Sequence, residues 1–231
     1  MGSEQAQIDW AIREILGEDS FAIFNSFIHL AFGWPAYILA GITGGPNYGR
    51  PTNHFWPFGP FQNGKIDLFP GQWKKKVLIS DVGIFAFLYV LQQWAKATSY
   101  SHVALMYGLP YIFVNLWLVL YTWLQHTDVD VPHFDEQDWT WAKGAFHTID
   151  RPYGPVLDFL HHGIGSTHVA HHVISSIPHY HAYKATEAIK ENFPDFYLFD
   201  PTPIIPAMLR VSKLCISVEK VPGNDGFYVF T

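Results

Sequence analysis

His168-Val169-Ala170-His171-His172 sets three imidazoles at positions i, i+3 and i+4. On a helix these positions share one face, so the rings project toward one point. Neutral imidazole is a common ligand for iron, zinc and copper, and the pattern therefore points to a metal site. A further histidine, His126, stands at the exit of a long apolar segment. Asn115 lies eleven residues before it, three helical turns, hence on the same face. A polar side chain inside an apolar segment needs a partner. For Asn115 that is a structural hydrogen bond first and a water-mediated contact to the metal second.

The other histidines carry less. His161 and His162 precede the cluster by too much to share its helical turn, and either pack behind the ligands or lie at the surface. His179 and His181 follow Pro178 and read as surface residues. Asp128, Asp130, Asp135, Glu136 and Asp138 form an acidic run that reads as a solvated face. No G-x-G-x-x-G, P-loop, G-x-S-x-G or H-E-x-x-H occurs, so nucleotide, serine-hydrolase and zincin chemistry have no support.

These residues sit in a chain of unusual composition. Aromatics reach 17% while charged residues are only 15%, against roughly 25% in a soluble domain. A net charge of −6 and the lack of any Lys/Arg stripe exclude a nucleic-acid-binding role. Cys215 is the only cysteine, which excludes an intramolecular disulfide and a C-x-x-C zinc site. Met1 to Gly17 carries charges throughout and does not read as a signal peptide. Met1-Gly2 resembles a myristoylation start, but Ala6 stands where Ser or Thr is wanted, so no lipid anchor is expected.

Ile8, Ile12, Ile15 and Leu16 recur at helical spacing and predict a short amphipathic helix over 4–18. Residues 21–42 are long enough to cross a bilayer, but Gly33 and Pro35 interrupt them; they form either a span or a broken, re-entrant segment. Residues 43–75, rich in Gly, Pro and Asn, read as loop, with aromatics suited to headgroup level. Residues 77–95 and 103–124, joined by a polar connector, predict a transmembrane helical hairpin. Lys74-Lys75-Lys76 before the first span place that end in the cytosol. The second span then returns there, so His126 and the triple-histidine cluster share one side. Residues 126–231 predict a cytosolic helical cap. In it Ser166 or Thr167 caps the cluster helix, Pro178 ends it, and 181–193 form another short helix. The fold class is thus an all-α integral membrane protein: a transmembrane hairpin plus a helical cap bearing the histidine box.

Removing hydrogen from an unactivated C–H bond exceeds acid–base side chains and requires an oxidant made from dioxygen at a metal. Five strings bear on that chemistry. They are Tyr121-Thr-Trp-Leu-Gln125-His126-Thr, Val131-Pro132-His133-Phe134, Ile149-Asp-Arg-Pro-Tyr153-Gly, Ser166-Thr-His168-Val-Ala-His171-His172 and Ile177-Pro-His179-Tyr-His181-Ala. Together they resemble the membrane fatty acyl desaturases, in particular the fungal and plant delta-12 (oleate) and omega-3 group. The likeness runs from about Glu14 through Pro203.

The resemblance implies a helical membrane body with a cytosolic cap around two irons, held by three histidine boxes and one histidine after the last span. His168, His171 and His172 would be the third box, His126 the additional ligand, and His162 a histidine that often precedes the third box. It further implies an endoplasmic reticulum location, an acyl chain borne on a membrane lipid as substrate, and a cytochrome b5-type electron donor. Nothing before residue 126 offers H-x-x-x-H or H-x-x-H-H, and Asp128 stands where many relatives have a second histidine. The family places the first two boxes ahead of the equivalent of Gly17, so the chain is expected to correspond to roughly the C-terminal half or more of a desaturase. Four ligands do not saturate two irons. Two functions follow: part of a membrane non-haem di-iron desaturase, with hydroxylase, acetylenase or conjugase outcomes open on the same scaffold; or a noncatalytic fragment that acts by joining a full-length partner. An assembly with itself or with a relative is the corresponding expectation for oligomeric state.

Overall fold

A computed structural model describes residues 4–42, 46–49, 51–223 and 226–230. The Met1-Gly2 start and positions 43–45 and 50 of the Gly/Pro loop lie outside the described residues. The chain forms two compact units, one from residues 1–27 and 120–231 and one from residues 28–119. Helix α1 (Glu4–Leu16) is the expected amphipathic helix, and α2 (Glu18–Ala40) follows after Gly17 alone. The open choice over 21–42 resolves as one uninterrupted helix through Gly33 and Pro35.

Helices α3 (Trp73–Ala97) and α4 (Tyr100–Leu124) form the hairpin. The polar connector shrinks to Thr98 and Ser99, because Ser99 accepts a hydrogen bond from the His102 N–H at 3.1 Å and starts α4 earlier than expected. Phe87 packs on Tyr107 and Trp94 on His102 across the two helices, with ring centroids 5.3 and 5.6 Å apart. A π turn over Ala104–Gly108 precedes Pro110. Proline lacks an N–H and crowds the carbonyl four residues back; the wider turn, closed by Leu109 N–H on the Ala104 carbonyl, relieves that clash. In the same unit Gly33 of α2 meets α4 closely: a Cβ there would lie 3.3 Å from a Val119 methyl. Helices α2, α3 and α4 are each long and apolar enough to cross a membrane.

Among the described residues, the other unit holds, besides α1, helices α5 (Trp141–Phe146), α6 (Pro155–Leu160), α7 (His168–Val173), α8 (His179–Asn192) and α9 (Ile204–Leu214). The chain is mostly helical, as expected, but among the described residues five short strands punctuate the cap. Strands β1 (His133–Phe134), β4 (Val218–Lys220) and β5 (Phe227–Phe230) pair antiparallel in the order β1-β5-β4. Strands β2 (Ile149–Asp150) and β3 (Leu198–Phe199) pair in parallel, Ile149 beside Leu198 and Asp150 beside Phe199. Runs this short carry no period-2 signature, which is why the sequence does not announce them. Val169 and Ala170, fully buried, join Ile189 of α8 in a small core that Phe146, Val173 and Tyr197 complete.

Three local expectations are corrected. Helix α7 ends at Val173, and Pro178 instead opens α8 at His179. Thr167 stands at the N-cap of α7, but its hydroxyl donates back to the Gly163 carbonyl and caps nothing, and Ser166 donates to Asp158 at 3.1 Å. Asp128 is no part of a solvated face: it is 2% exposed and paired with Arg151 and Arg210. The remainder of that acidic run is exposed or half-buried.

Candidate metal centre

His126 lies two residues beyond α4, and His168 and His172 lie one helical turn apart on α7. The three rings converge at their Nε2 atoms: His168 is 3.1 Å from His126 and 3.0 Å from His172. A metal–nitrogen bond of about 2.1 Å sets adjacent ligand nitrogens about 3.0 Å apart in an octahedral site and about 3.4 Å in a tetrahedral one. Hydrogen bonding alone accounts poorly for the trio. The Nε2 of His168 faces two other nitrogens, and a neutral imidazole nitrogen either donates one proton or offers one in-plane lone pair. Three lone pairs aimed at a shared cation satisfy all three rings at once.

Electrostatics favour the ligating form. Burial pushes the His126 imidazole down to about 4 and the His168 imidazole down to about 2, with smaller contributions from the neighbouring histidines. His172 is lowered as well, by burial first and by His171 second. All three therefore stay neutral at pH 7, with lone pairs free for a metal.

His171 stands apart from this group. It is exposed, with its ring centroid 5.8 Å from that of His168 and 5.5 Å from that of His172. On a six-residue helix the i+3 position is displaced around the axis from the line joining i and i+4, and here that displacement turns His171 outward. His162 is also outside the trio: it follows the C-cap of α6 in the left-handed region at φ 56°, is exposed, and lies against His179 with the two rings tilted. His161 instead hydrogen-bonds to Tyr121. Asn115, buried on α4, belongs to the unit formed by residues 28–119.

The segment carrying His126 is fixed by its neighbours. Gln125, fully buried, donates to the Gly165 carbonyl at 3.0 Å and accepts from the Tyr153 hydroxyl at 2.7 Å. The Leu124 carbonyl takes a hydrogen bond from Arg151. Arg151, fully buried, also pairs with Asp128 at 2.7 Å and Asp200 at 2.8 Å. Arg210 joins the same two carboxylates. Burial raises the Asp200 carboxyl, but hydrogen bonds from Thr202, Arg210 and Arg151 outweigh it and hold the group well below the usual carboxylate range. Asp200 thus stays ionised against the guanidinium groups of Arg151 and Arg210.

A family model described as fatty acid desaturase matches residues 33–201. The chain belongs to the fatty acid desaturase family. Among curated desaturases it is 38% identical over 227 residues to a delta(12)-fatty-acid desaturase of Vernicia fordii, covering 98% of this chain and 57% of that protein. It is 40% identical over 203 residues to an omega-6 fatty acid desaturase, endoplasmic reticulum isozyme 2, of Glycine max, covering 88% and 51%. It is 41% identical over 197 residues to a delta(12) fatty acid desaturase of Mortierella isabellina, covering 85% and 47%. The chain spans about half the length of the curated desaturases it matches. No solved structure matches. With desaturase membership shown, the histidine trio is compatible with metal binding, and the strings around it are those in which the family likeness was legible.

Residue type and spacing assign no role to Asp150, Arg151 or Gln125, although all three lie in the strings quoted above. The one available signal was chemical: an Asp-Arg pair in a stretch with no other charge between Lys143 and Asp158.

Proposed function

We propose that this chain forms part of the iron centre of a membrane acyl-lipid desaturase of delta-12 or omega-3 type. His126, His168 and His172 would hold one iron. His171, exposed and outside the trio, would be available to a second iron, which would need ligands beyond those three. The observation that carries this reading is the convergence of three imidazoles, with His168 Nε2 3.1 Å from His126 Nε2 and 3.0 Å from His172 Nε2, and the potential ligand atoms all within 4.8 Å of one another. Iron suits an all-imidazole donor set and, when bound, supplies the dioxygen-dependent oxidising power needed to take two hydrogens from an unactivated acyl chain.

The protein's own residues hold the ligands neutral and fix them on a buried polar frame. The substrate is an acyl chain on a membrane lipid, entering from the apolar helices. A cytochrome b5-type donor supplies two electrons, which with the two substrate hydrogens and two protons convert dioxygen to two waters. The protein resides in the endoplasmic reticulum membrane with the trio toward the cytosol. Lys74 to Lys76 at the start of α3 support that orientation, and Ser99–Ser101 are then lumenal. A cysteine at position 100 reachable only from the cytosol would reverse it.

A second reading is supported by the ligand count: three converging imidazoles plus His171 fall short of a two-iron set. On that reading the chain acts by joining a partner that brings the remaining ligands. Both readings are tested together in a yeast lacking polyunsaturated fatty acids. Expressed alone, the chain should leave the lipids unchanged. Co-expressed with the N-terminal half of a delta-12 relative, it should yield linoleate, and Ala at His168, His171 or His172 should abolish that yield. Near-normal yield from the His168→Ala protein, at matched protein level, would end the metal-centre reading.

A further inference from the structure

We propose that Asp150 is a positioning residue for the histidine trio, gripping the N-terminus of α7 from outside the helix and thereby setting where His168 and His172 stand. The inference rests on the metal-centre reading above. Its starting point is a gap in the helix itself. The first N–H groups of any helix have no partner within it and need one from elsewhere. Thr167, at the N-cap, gives α7 no side-chain hydrogen bond. The acceptor comes instead from nineteen residues upstream: the Val169 N–H donates to Asp150 Oδ1 at 2.8 Å. The His168 N–H lies against the same carboxylate. A negative charge at a helix N-terminus is also favourable toward the helix dipole.

The carboxylate is itself held. Tyr197 donates its hydroxyl to Asp150 Oδ2 at 2.7 Å, and the Asp150 carbonyl accepts from the Asp200 N–H at 3.1 Å. Pairing of β2 with β3 brings Tyr197 alongside. Asp150 is fully buried, so neither oxygen has water as an easy substitute. The flanking residues of the same strand hold the other ligand segment. The Ile149 N–H donates to the Gln125 carbonyl at 2.9 Å, and the Arg151 N–H to the Gly165 carbonyl at 2.7 Å. A Cβ at Gly165 would lie 2.6 Å from the Arg151 carbonyl, so only glycine permits that approach. Three consecutive residues therefore tie down the residue before His126, the turn before α7 and the start of α7.

One detail explains why the backbone must do this. A ligating histidine is ordinarily oriented by a partner on its other ring nitrogen. His168 Nδ1 is buried with no such partner among the described residues. The ring's placement is thus set through the helix that carries it, and Asp150 is what fixes that helix.

The test uses the full chain purified in detergent, with Co(II) as the probe, titrated and followed by its visible ligand-field band. Asp150→Ala should weaken Co(II) binding by about 10- to 100-fold, the range of changes one step removed from a metal. Tyr197→Phe, which removes only one hydrogen bond to the carboxylate, should weaken it by about two- to tenfold. Asp150→Asn keeps an oxygen toward Val169 and should fall between wild type and Asp150→Ala. Ser212→Ala, which breaks a buried hydrogen bond to Ser26 at 2.9 Å, is the control for general loosening. At saturating Co(II) the band should shift in Asp150→Ala and stay put in Ser212→Ala. Wild-type affinity and band in Asp150→Ala and Tyr197→Phe, or losses no greater than those of Ser212→Ala, would overturn the assignment. A wild-type chain that binds no Co(II) would overturn the metal-centre reading and this inference with it.

Discussion

His126, His168 and His172 meet at their Nε2 atoms, whereas His162 and His179 of the same unit lie ring against ring at a tilt, centroids 4.4 Å apart, with both residues exposed. Both groups combine residues distant in sequence, and both are aromatic clusters of one residue type. They differ in what lies beneath. Behind the trio stand Gln125, Asp128, Asp150 and Arg151, all buried and all hydrogen-bonded. Among the described residues, His162 owes its place to a helix C-cap, its N–H on the Phe159 carbonyl at 3.3 Å and the Gly163 N–H on the Asp158 carbonyl at 2.7 Å. Histidine spacing alone does not distinguish the groups; the buried polar frame does.

The largest effect should come from the ligands. Ala at His126, His168 or His172 should lower Co(II) affinity by more than about 100-fold, beyond the range for residues one step removed. Ala at His162 or His179 should change it less than about twofold, since neither ring joins the trio; isothermal titration of the five variants decides. Equal losses from both sets would erase the contrast.

Next is the frame. Arg151→Ala leaves Asp128 and Asp200 facing a buried void, and breaking a buried ion pair from one side costs about 3–5 kcal/mol. Arg210, partly exposed, compensates in part. Denaturant unfolding of the purified protein should show a loss at the low end of that range, with Co(II) affinity falling alongside. A stable Arg151→Ala protein with intact binding would show that the frame is dispensable.

Acid should loosen the trio's unit at moderate pH. The folded His126 and His168 imidazoles are held below the unfolded value of about 6.5. As pH falls below 6.5 the unfolded chain takes up protons that the folded chain refuses, so stability drops as pH falls. Asp150 runs the other way: burial raises its carboxyl to about 6, so the folded state binds the extra proton between its unfolded value of about 3.9 and 6. Two imidazoles against one carboxyl leave a net loss between pH 6.5 and 4. Metal-free thermal midpoints across that range should decline, and a flat profile would contradict the buried, neutral trio.

The smallest effect should be a gain. His162 occupies a left-handed position at φ 56°, where a side chain costs about 1 kcal/mol relative to glycine. His162→Gly should raise stability by up to about that amount and leave Co(II) binding unchanged. A loss would mean that its contact with His179 outweighs the backbone strain.

Much of this was legible beforehand. The apolar runs at 77–95 and 103–124 became α3 and α4, because length and the absence of charge leave few alternatives. His126, His168 and His172 were named from residue type and spacing, and the structure brings them together; it leaves His171 outside, since a face shared on a helical wheel is broader than one metal's reach. A charge run says nothing of where its partners lie, and Asp128 finds its own in Arg151 and Arg210, 23 and 82 residues away. The capping of α7 is illegible for the same reason, its acceptor coming from Asp150 rather than from the adjacent Thr167.

Whether three particular imidazoles hold one metal ion is most directly measured by X-ray absorption fine structure on the purified chain loaded with Fe(II), compared with His172→Ala. Nitrogen scatterers at about 2.1 Å with the outer-ring pattern of three imidazoles are expected, falling to two in the variant. An iron signal without imidazole scattering, or one that is identical in His172→Ala, would contradict it.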